Sequence, residues 1–256
     1  MIKESTPYGP SRVQVQGVLL LALLQWSVFA WTACDDPPAR RVNWLRCDKQ
    51  GVDLQGADLR EAVLTQVNLS GANLSNARFS GADLGQAVLS KVDFTNAELR
   101  GTRLVSAQLD HAVFASASMA GARLERAVLT GANLREADLT DAQLQRAELT
   151  GADLTGAKLN RANLAQANLT DAQLAKADLS GATLIRTVLE DAVLSGSLLR
   201  GARLDGATLL GARKRITLLQ LPALAGAQGG RLRTPNLRHC RGLVAQSTGK
   251  YLVGAG

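Results

Sequence analysis

From Leu54 to Leu209 every fifth residue is Leu, Phe or Met, 32 positions in unbroken register. Two places before each lies a smaller residue: 26 Ala, three Val (Val52, Val67, Val92), Thr102, Thr187 and Ser197. A period of five fits neither regular structure. On an α-helix five residues advance about 500°, so Leu59, Leu64 and Leu69 would point all round the axis. On a flat strand an odd spacing throws successive leucines to opposite faces, whereas Ala57 and Leu59, two apart, share one face. Both relations hold together if the chain turns a corner every five residues. Each short side then sends its small and its large residue inward. Four sides close a square coil of 20 residues, and coils stack at about 4.8 Å. Residues 51–210 supply eight coils, a rod roughly 38 Å long.

The stretches Gly131-Ala-Asn-Leu-Arg, Gly151-Ala-Asp-Leu-Thr and Gly181-Ala-Thr-Leu-Ile resemble the A(D/N)LXX consensus of pentapeptide-repeat proteins. The resemblance covers 160 of 256 residues. It implies an all-β fold, a right-handed quadrilateral β-helix of about eight coils with a tight turn at each corner and a cap at each end. Gly71, Gly81, Gly101, Gly121, Gly131, Gly151, Gly181 and Gly201 stand at corners, where positive φ is expected. The large positions place Phe94 and Phe114 next to each other on one side, and Phe79 and Met119 two coils apart on the next.

Four segments follow: 1–33, an export signal or membrane anchor; 34–50, a linker and N-terminal cap; 51–210, the solenoid; and 211–256, a C-terminal cap and basic tail. Lys3 and Arg12 precede an apolar run from Val18 to Ala33, short for a membrane span and suited to a signal sequence. Val28-Phe29-Ala30 offers a cleavage site. Trp31-Thr32-Ala33-Cys34 resembles a bacterial lipobox except at Trp31, which makes Cys34 a lipidation candidate. A stack of coils leaves bare backbone and apolar surface at its tips. Trp44, with Val42 in the repeat phase and Lys49 breaking it, is the expected lid at the N-terminal tip. The largely apolar segment Ile216-Thr217-Leu218-Leu219, continuing to Leu224, is the expected cover at the other. The resemblance also offers a homodimer through that C-terminal cap.

Charge changes the picture in one respect. The net +7 belongs to the tail: residues 211–256 carry eight basic residues and no acid, whereas residues 51–210 carry 15 Lys/Arg against 18 Asp/Glu. Folded onto four sides, the third side (Leu64 and its equivalents) gathers Arg103, Arg123, Arg126, Arg146, Arg186 and Arg203, a docking strip for an acidic partner. The fourth carries Asp110, Glu148, Asp171, Glu190 and Asp191 against Lys91. On the second side Asp58, Arg78, Glu98, Ser118, Asp138, Lys158 and Asp178 form one column, read as a charge ladder.

Catalytic chemistry finds little support. His111 sits at a corner and His239 in the tail, and neither has an identifiable nucleophile or carboxylate partner. Cys47 and Cys240 flank opposite ends of the coils, too far apart for a disulfide unless the tail folds back. No metal or redox spacing exists, no cofactor motif is present, and a filled square leaves no cavity for a small ligand. The expectation is a non-enzymatic scaffold of the bacterial cell envelope, periplasmic or membrane-anchored through the N-terminus, with an unidentified protein partner. Two rival functions are a DNA-mimicking modulator of type II topoisomerase in the cytoplasm, implied by the quinolone-resistance members of the family, and binding of anionic lipid or nucleic acid through the basic tail. Nucleic acid is the less favoured partner, because the solenoid is close to neutral.

Overall fold

The computed structural model describes residues 33–212. Two compact units divide the chain, Met1–Asp36 and Pro37–Gly256. In the first, the described part is a single 3₁₀ turn, Ala33–Asp35. The segment read as an export signal, the basic tail and the expected C-terminal cover, Thr217 and Leu219 included, lie outside the described residues. No helix among the described residues is long and apolar enough to cross a membrane.

In the second unit every fifth residue from Asn43 to Val188 forms a parallel bridge with the residue twenty places further on. The bridging residue is the one just before each large residue, so each side of the square contributes one rung. The coil's backbone accounting is nearly complete. Using Ala57 to Glu61, the small residue's N–H closes the corner onto Leu54 O (3.0 Å), and the large residue's N–H reaches forward to Arg78 O (2.8 Å). Glu61 N–H reaches forward to Ser80 O (3.2 Å), while the bridging Arg78 N–H reaches back to Ala57 O (2.9 Å).

One N–H in five remains, that of the residue after the large one. Each Asp or Asn at a bridging position, from Asn43 to Asp178, accepts that N–H on its side-chain oxygen at 2.8–3.3 Å. This is the physical reason for Asp and Asn in the repeat: they supply the acceptor that the ladder cannot.

Each corner places its second residue at positive φ, between 54° and 73°, from Arg41 through Gly211. Positive φ there, with the small residue's N–H closing onto the large residue's carbonyl, is the pattern of a type II turn. The expected glycines all adopt it, but so do Arg, Lys, Gln, Glu and Ser at other corners. The stacked ladder evidently tolerates the cost of roughly 1 kcal/mol that a left-handed L-residue carries.

The large residues from Leu59 to Leu194 are buried at 0–1% exposure, as are nearly all the small ones between them. Phe94 stacks on Phe114 (centroids 5.0 Å apart), and Phe79 meets Phe94 edge-on at 5.5 Å across a corner. Where Thr replaces Ala inside, its hydroxyl donates to a backbone carbonyl: Thr102 to Phe79 O (2.9 Å) and Thr187 to Leu164 O (2.8 Å). Each buried hydroxyl is thereby satisfied.

The coil begins earlier than residue 51. Arg41 N–H already bonds Arg60 O, and Asn43 and Asp48 already form rungs. The segment read as linker and cap therefore contributes half a coil, sides three and four. Sides one and two start only at residue 51, which leaves Val52 and Ala57 partly exposed. Trp44 is 1% exposed, heads the Leu64 column, and carries Lys49 Nζ 4.7 Å above its ring. Lys49 thus keeps its place in the ladder, with its N–H on Asn68 O, although it departs from the apolar register. At the far tip Leu198 and Leu210 are exposed, and Leu199 and Leu204 are partly so.

Candidate functional site on the third side

Because the interior is occupied, chemistry is confined to outward residues. On each side these are the bridging residue and the two corner residues. On the third side the bridging column contains Asp83, Arg103, Arg123, Gln143 and Arg203, and the outer corner column contains Gln86, Ser106, Arg126, Arg146, Gln166 and Arg186.

The six arginines divide by these columns. Those at bridging positions meet acids of the rod itself: Arg103 Nη1 lies 3.1 Å from Asp83, Arg123 Nη2 lies 3.0 Å from Glu125, and Arg203 Nε lies 3.7 Å from Asp205. The corner arginines do not. Arg146 Nε donates to Gln166 Oε1 at 2.8 Å, a neutral acceptor. Arg126 and Arg186 make no ion pair with any described residue. The side chains are exposed at all three corners. The uncompensated positive charge of this side therefore sits at its corner.

Beside that corner runs a groove of about 420 Å³, lined by Val105, Glu125, Arg126, Gln145, Arg146, Ala165 and Gln166. Two oxygens in its wall are shut off from water and receive no hydrogen bond, Glu125 Oε2 and Gln145 Oε1. The other oxygen of Glu125 is taken by Arg123, and Gln145 Nε2 donates to Gln143 Oε1 at 2.9 Å. Sequence reading located the arginines but not the groove, since its wall is made by residues that the period marks only as outward.

The second side behaves as a ladder only in part. Arg78 joins Asp58 (3.7 Å) and Glu98 (3.2 Å). Asp138 and Asp178 instead accept the N–H groups of Thr140 (3.1 Å) and Ser180 (2.9 Å), and neither forms an ion pair with Lys158. The Asp58 carboxyl is held down at about 2, chiefly by the side-chain hydrogen bond from Arg60. At Asp138, Asp153 and Asp178 burial pushes upward, but the hydrogen bonds of Thr140, Thr155 and Ser180 outweigh it and leave each carboxyl below the usual range. These shifts belong to turn structure, not to a reaction centre.

Cys34 and Cys47 are both disulfide-bonded. A sulfur engaged in this way has no thiol to accept a lipid, so lipidation at Cys34 and the observed state exclude each other. The expectation on distance concerned a bond between Cys47 and Cys240, and Cys240 lies outside the described residues. His111 lies at a corner with φ 55°, as expected from its position. No group of three or more His, Cys, Asp or Glu among the described residues is placed to hold a metal ion.

A family model described as pentapeptide repeats matches residues 50–86, 72–114, 107–146, 147–184 and 183–213. The chain belongs to the pentapeptide-repeat family. Its fold is accordingly the right-handed quadrilateral β-helix of that family, as the resemblance of its repeats implied. Among solved structures it is similar to HetL, a pentapeptide repeat protein involved in heterocyst differentiation regulation from the cyanobacterium Nostoc sp. strain PCC 7120. The identity is 31% over 72% of this chain and 94% of that one, with a TM-score of 0.45. It is also similar to alr5209, a pentapeptide repeat protein from Nostoc PCC 7120, at 43% identity over 32% of this chain and 67% of the other (TM-score 0.31). QnrB1, a plasmid-mediated fluoroquinolone resistance protein, shares 22% identity over 66% of this chain and 89% of its own, with a TM-score of 0.34. No curated protein matches.

Proposed function

We propose that this pentapeptide-repeat chain is a non-enzymatic interaction scaffold, exported to the bacterial cell envelope, whose third side binds an acidic protein partner. The observation that carries the reading is the split among the arginines. The rod neutralises those it holds at bridging positions and leaves the corner column Arg126, Arg146 and Arg186 without a carboxylate. Unpaired charge of one sign along a rigid edge favours an oppositely charged surface. A filled interior supports a binding role over a catalytic one, because no enclosed site exists among the described residues to exclude water from a reaction. Export is supported by the apolar N-terminal run and by the disulfide-bonded state of Cys34 and Cys47, which persists in oxidising compartments. The same corner column runs counter to mimicry of duplex DNA, which needs sustained negative potential.

The test is fractionation of cells expressing the chain with a C-terminal tag, combined with alkylation of thiols before lysis and cross-linking. The expected outcome is tag in the envelope fraction, Cys34 and Cys47 resistant to alkylation until reduced, and a cross-linked partner. Tag found only in the cytosol, with both cysteines alkylated, removes the reading.

A further inference from the structure

The fourth side is bounded by two charged edges of opposite sign. One is the corner it shares with the third side, where Arg126, Arg146 and Arg186 stand without a carboxylate. The acids at that corner, Glu125 and Asp205, are taken by Arg123 and Arg203. The other edge is the corner shared with the first side, which carries Asp110, Asp171, Glu190 and Asp191 against Lys91. None of these five forms an ion pair with a described residue. Between the edges runs the bridging column, in which Val88, Val128 and Val188 point outward and are only half-buried, while Glu148 is exposed.

A nucleic acid suits the arginine edge and is repelled by the acidic one. So is an acidic protein that reaches across the whole face. A second copy of this chain answers both edges, in one orientation only. With a two-fold axis parallel to the rod and lying on the valine column, the arginine edge of each copy faces the acidic edge of the other. With the two-fold axis across the rod, arginine meets arginine and acid meets acid.

In the parallel arrangement coils of equal number face each other. Arg186 then lies opposite Glu190 and Asp191 of the same coil, with Asp171 one coil or about 4.8 Å away. Arg126 lies within one coil of Asp110. The two copies of Glu148 meet on the axis and are flanked by the two copies of Arg146, so charge cancels at that level too. Val88, Val128 and Val188 each meet their own counterpart and cover apolar surface that a single rod leaves half open.

We infer that the fourth side is a self-complementary interface through which two copies of this chain associate as parallel rods. This rests on the proposed reading of the arginine corner as a docking edge for an acidic protein, and names that protein as a second copy.

The test is sedimentation of the full chain at low and high salt, with charge-swap variants at one level of the face. Glu61, Glu136, Arg146 and Arg161 already occupy corner positions at positive φ, so Arg186→Glu and Asp191→Arg suit the backbone. The expected result is a dimer at low salt that dissociates as salt rises. Each single variant should dimerise at least about tenfold more weakly, since a two-fold interface repeats every substitution, and the double variant should recover most of the loss. Orientation is read by a short bismaleimide cross-linker under non-reducing conditions, in a Cys240→Ser background. Val88→Cys, Val128→Cys and Val188→Cys should each cross-link to themselves. A monomer at every salt concentration overturns the inference, as does a dimer indifferent to the single variants or a double variant no better than either. Self-cross-linking at one valine position or none overturns the parallel arrangement, whether the copies run antiparallel or meet at their tips. A chain that stays monomeric while cells show it cross-linked to a different protein in the envelope leaves the scaffold reading standing without this inference. A tag found only in the cytosol removes export whatever the dimer does.

Discussion

The imidazole of His111 lies over the bare Cα of Gly131, its successor in the corner column one coil on. A Cβ built on Gly131 would come within 2.6 Å of Nδ1 and 2.7 Å of Cε1. Gly121, at the opposite corner of the square with φ +67°, has nothing within 4 Å of the same point. The two glycines separate conformational cost from contact cost. Gly121→Ala is expected to cost about 1 kcal/mol from left-handed φ alone. Gly131→Ala should cost more, because the ring must also move. Adding His111→Ala to Gly131→Ala should bring its melting temperature back to that of Gly121→Ala with His111→Ala. Equal melting of the two single variants would show that the ring yields freely.

Asp93 shows what the bridging carboxylate contributes. It accepts the Thr95 N–H at 2.8 Å and the Thr95 hydroxyl at 2.6 Å. Asp93→Ala strands that N–H and should lower stability by about 1 kcal/mol, whereas Asp93→Asn keeps the acceptor and should cost much less. Thermal unfolding followed by circular dichroism reads the difference. If asparagine proved as damaging as alanine, charge rather than the turn acceptor would be the cause.

Ala132 is 1% exposed, stacked between Ala112 and Ala152 in the inward column of small residues. The interior has no spare volume, so Ala132→Phe forces neighbouring coils apart. The expected loss is at least 1–3 kcal/mol, seen as a sharply lower melting temperature or failure to fold. Ala132→Gly removes one methyl and should be milder. An unchanged melt for the phenylalanine variant would contradict the inward placement of this column.

The acidic side of the stability profile follows from the turn carboxylates. Asp58 is lowered to about 2, and Glu61, Asp138, Asp141, Asp153 and Asp178 are lowered by their hydrogen bonds. A carboxyl depressed in the folded state contributes stability that is complete above its unfolded value and is lost as pH falls through the folded one. Melting temperature should therefore hold steady from pH 7 to about 4 and decline between about 4 and 2. A decline already under way at pH 6 would point to other groups.

The coil was legible in the primary structure because it is a local rule repeated: the large residue, the small residue and the corner all lie within five positions. Each copy restates the others, so the square section, the buried Leu and Phe columns and the corner glycines could be read by counting. The preference for Asp and Asn before the large residue was visible as a pattern, but its cause was not. That needed the ladder, which satisfies four N–H groups in five and exposes the fifth. The start of the coil was misplaced for a related reason. Lys49 breaks the apolar register, yet at the open edge of the first half-coil its ammonium lies over the Trp44 ring instead of inside a closed square.

The side chains facing outward are a different matter, since the period says only that they face out. Arg123 and Arg126 differ by three places in sequence, and the period marks both only as outward. Tertiary structure separates them: one reaches Glu125 at 3.0 Å across its own corner, and the other meets no acid among the described residues. Periodic burial is enforced by the hydrophobic effect at every repeat and so survives translation from sequence to structure. Which charges cancel depends on single side-chain distances, within a coil for Arg123–Glu125 and between coils for Arg103–Asp83, and those are set only when the chain is folded.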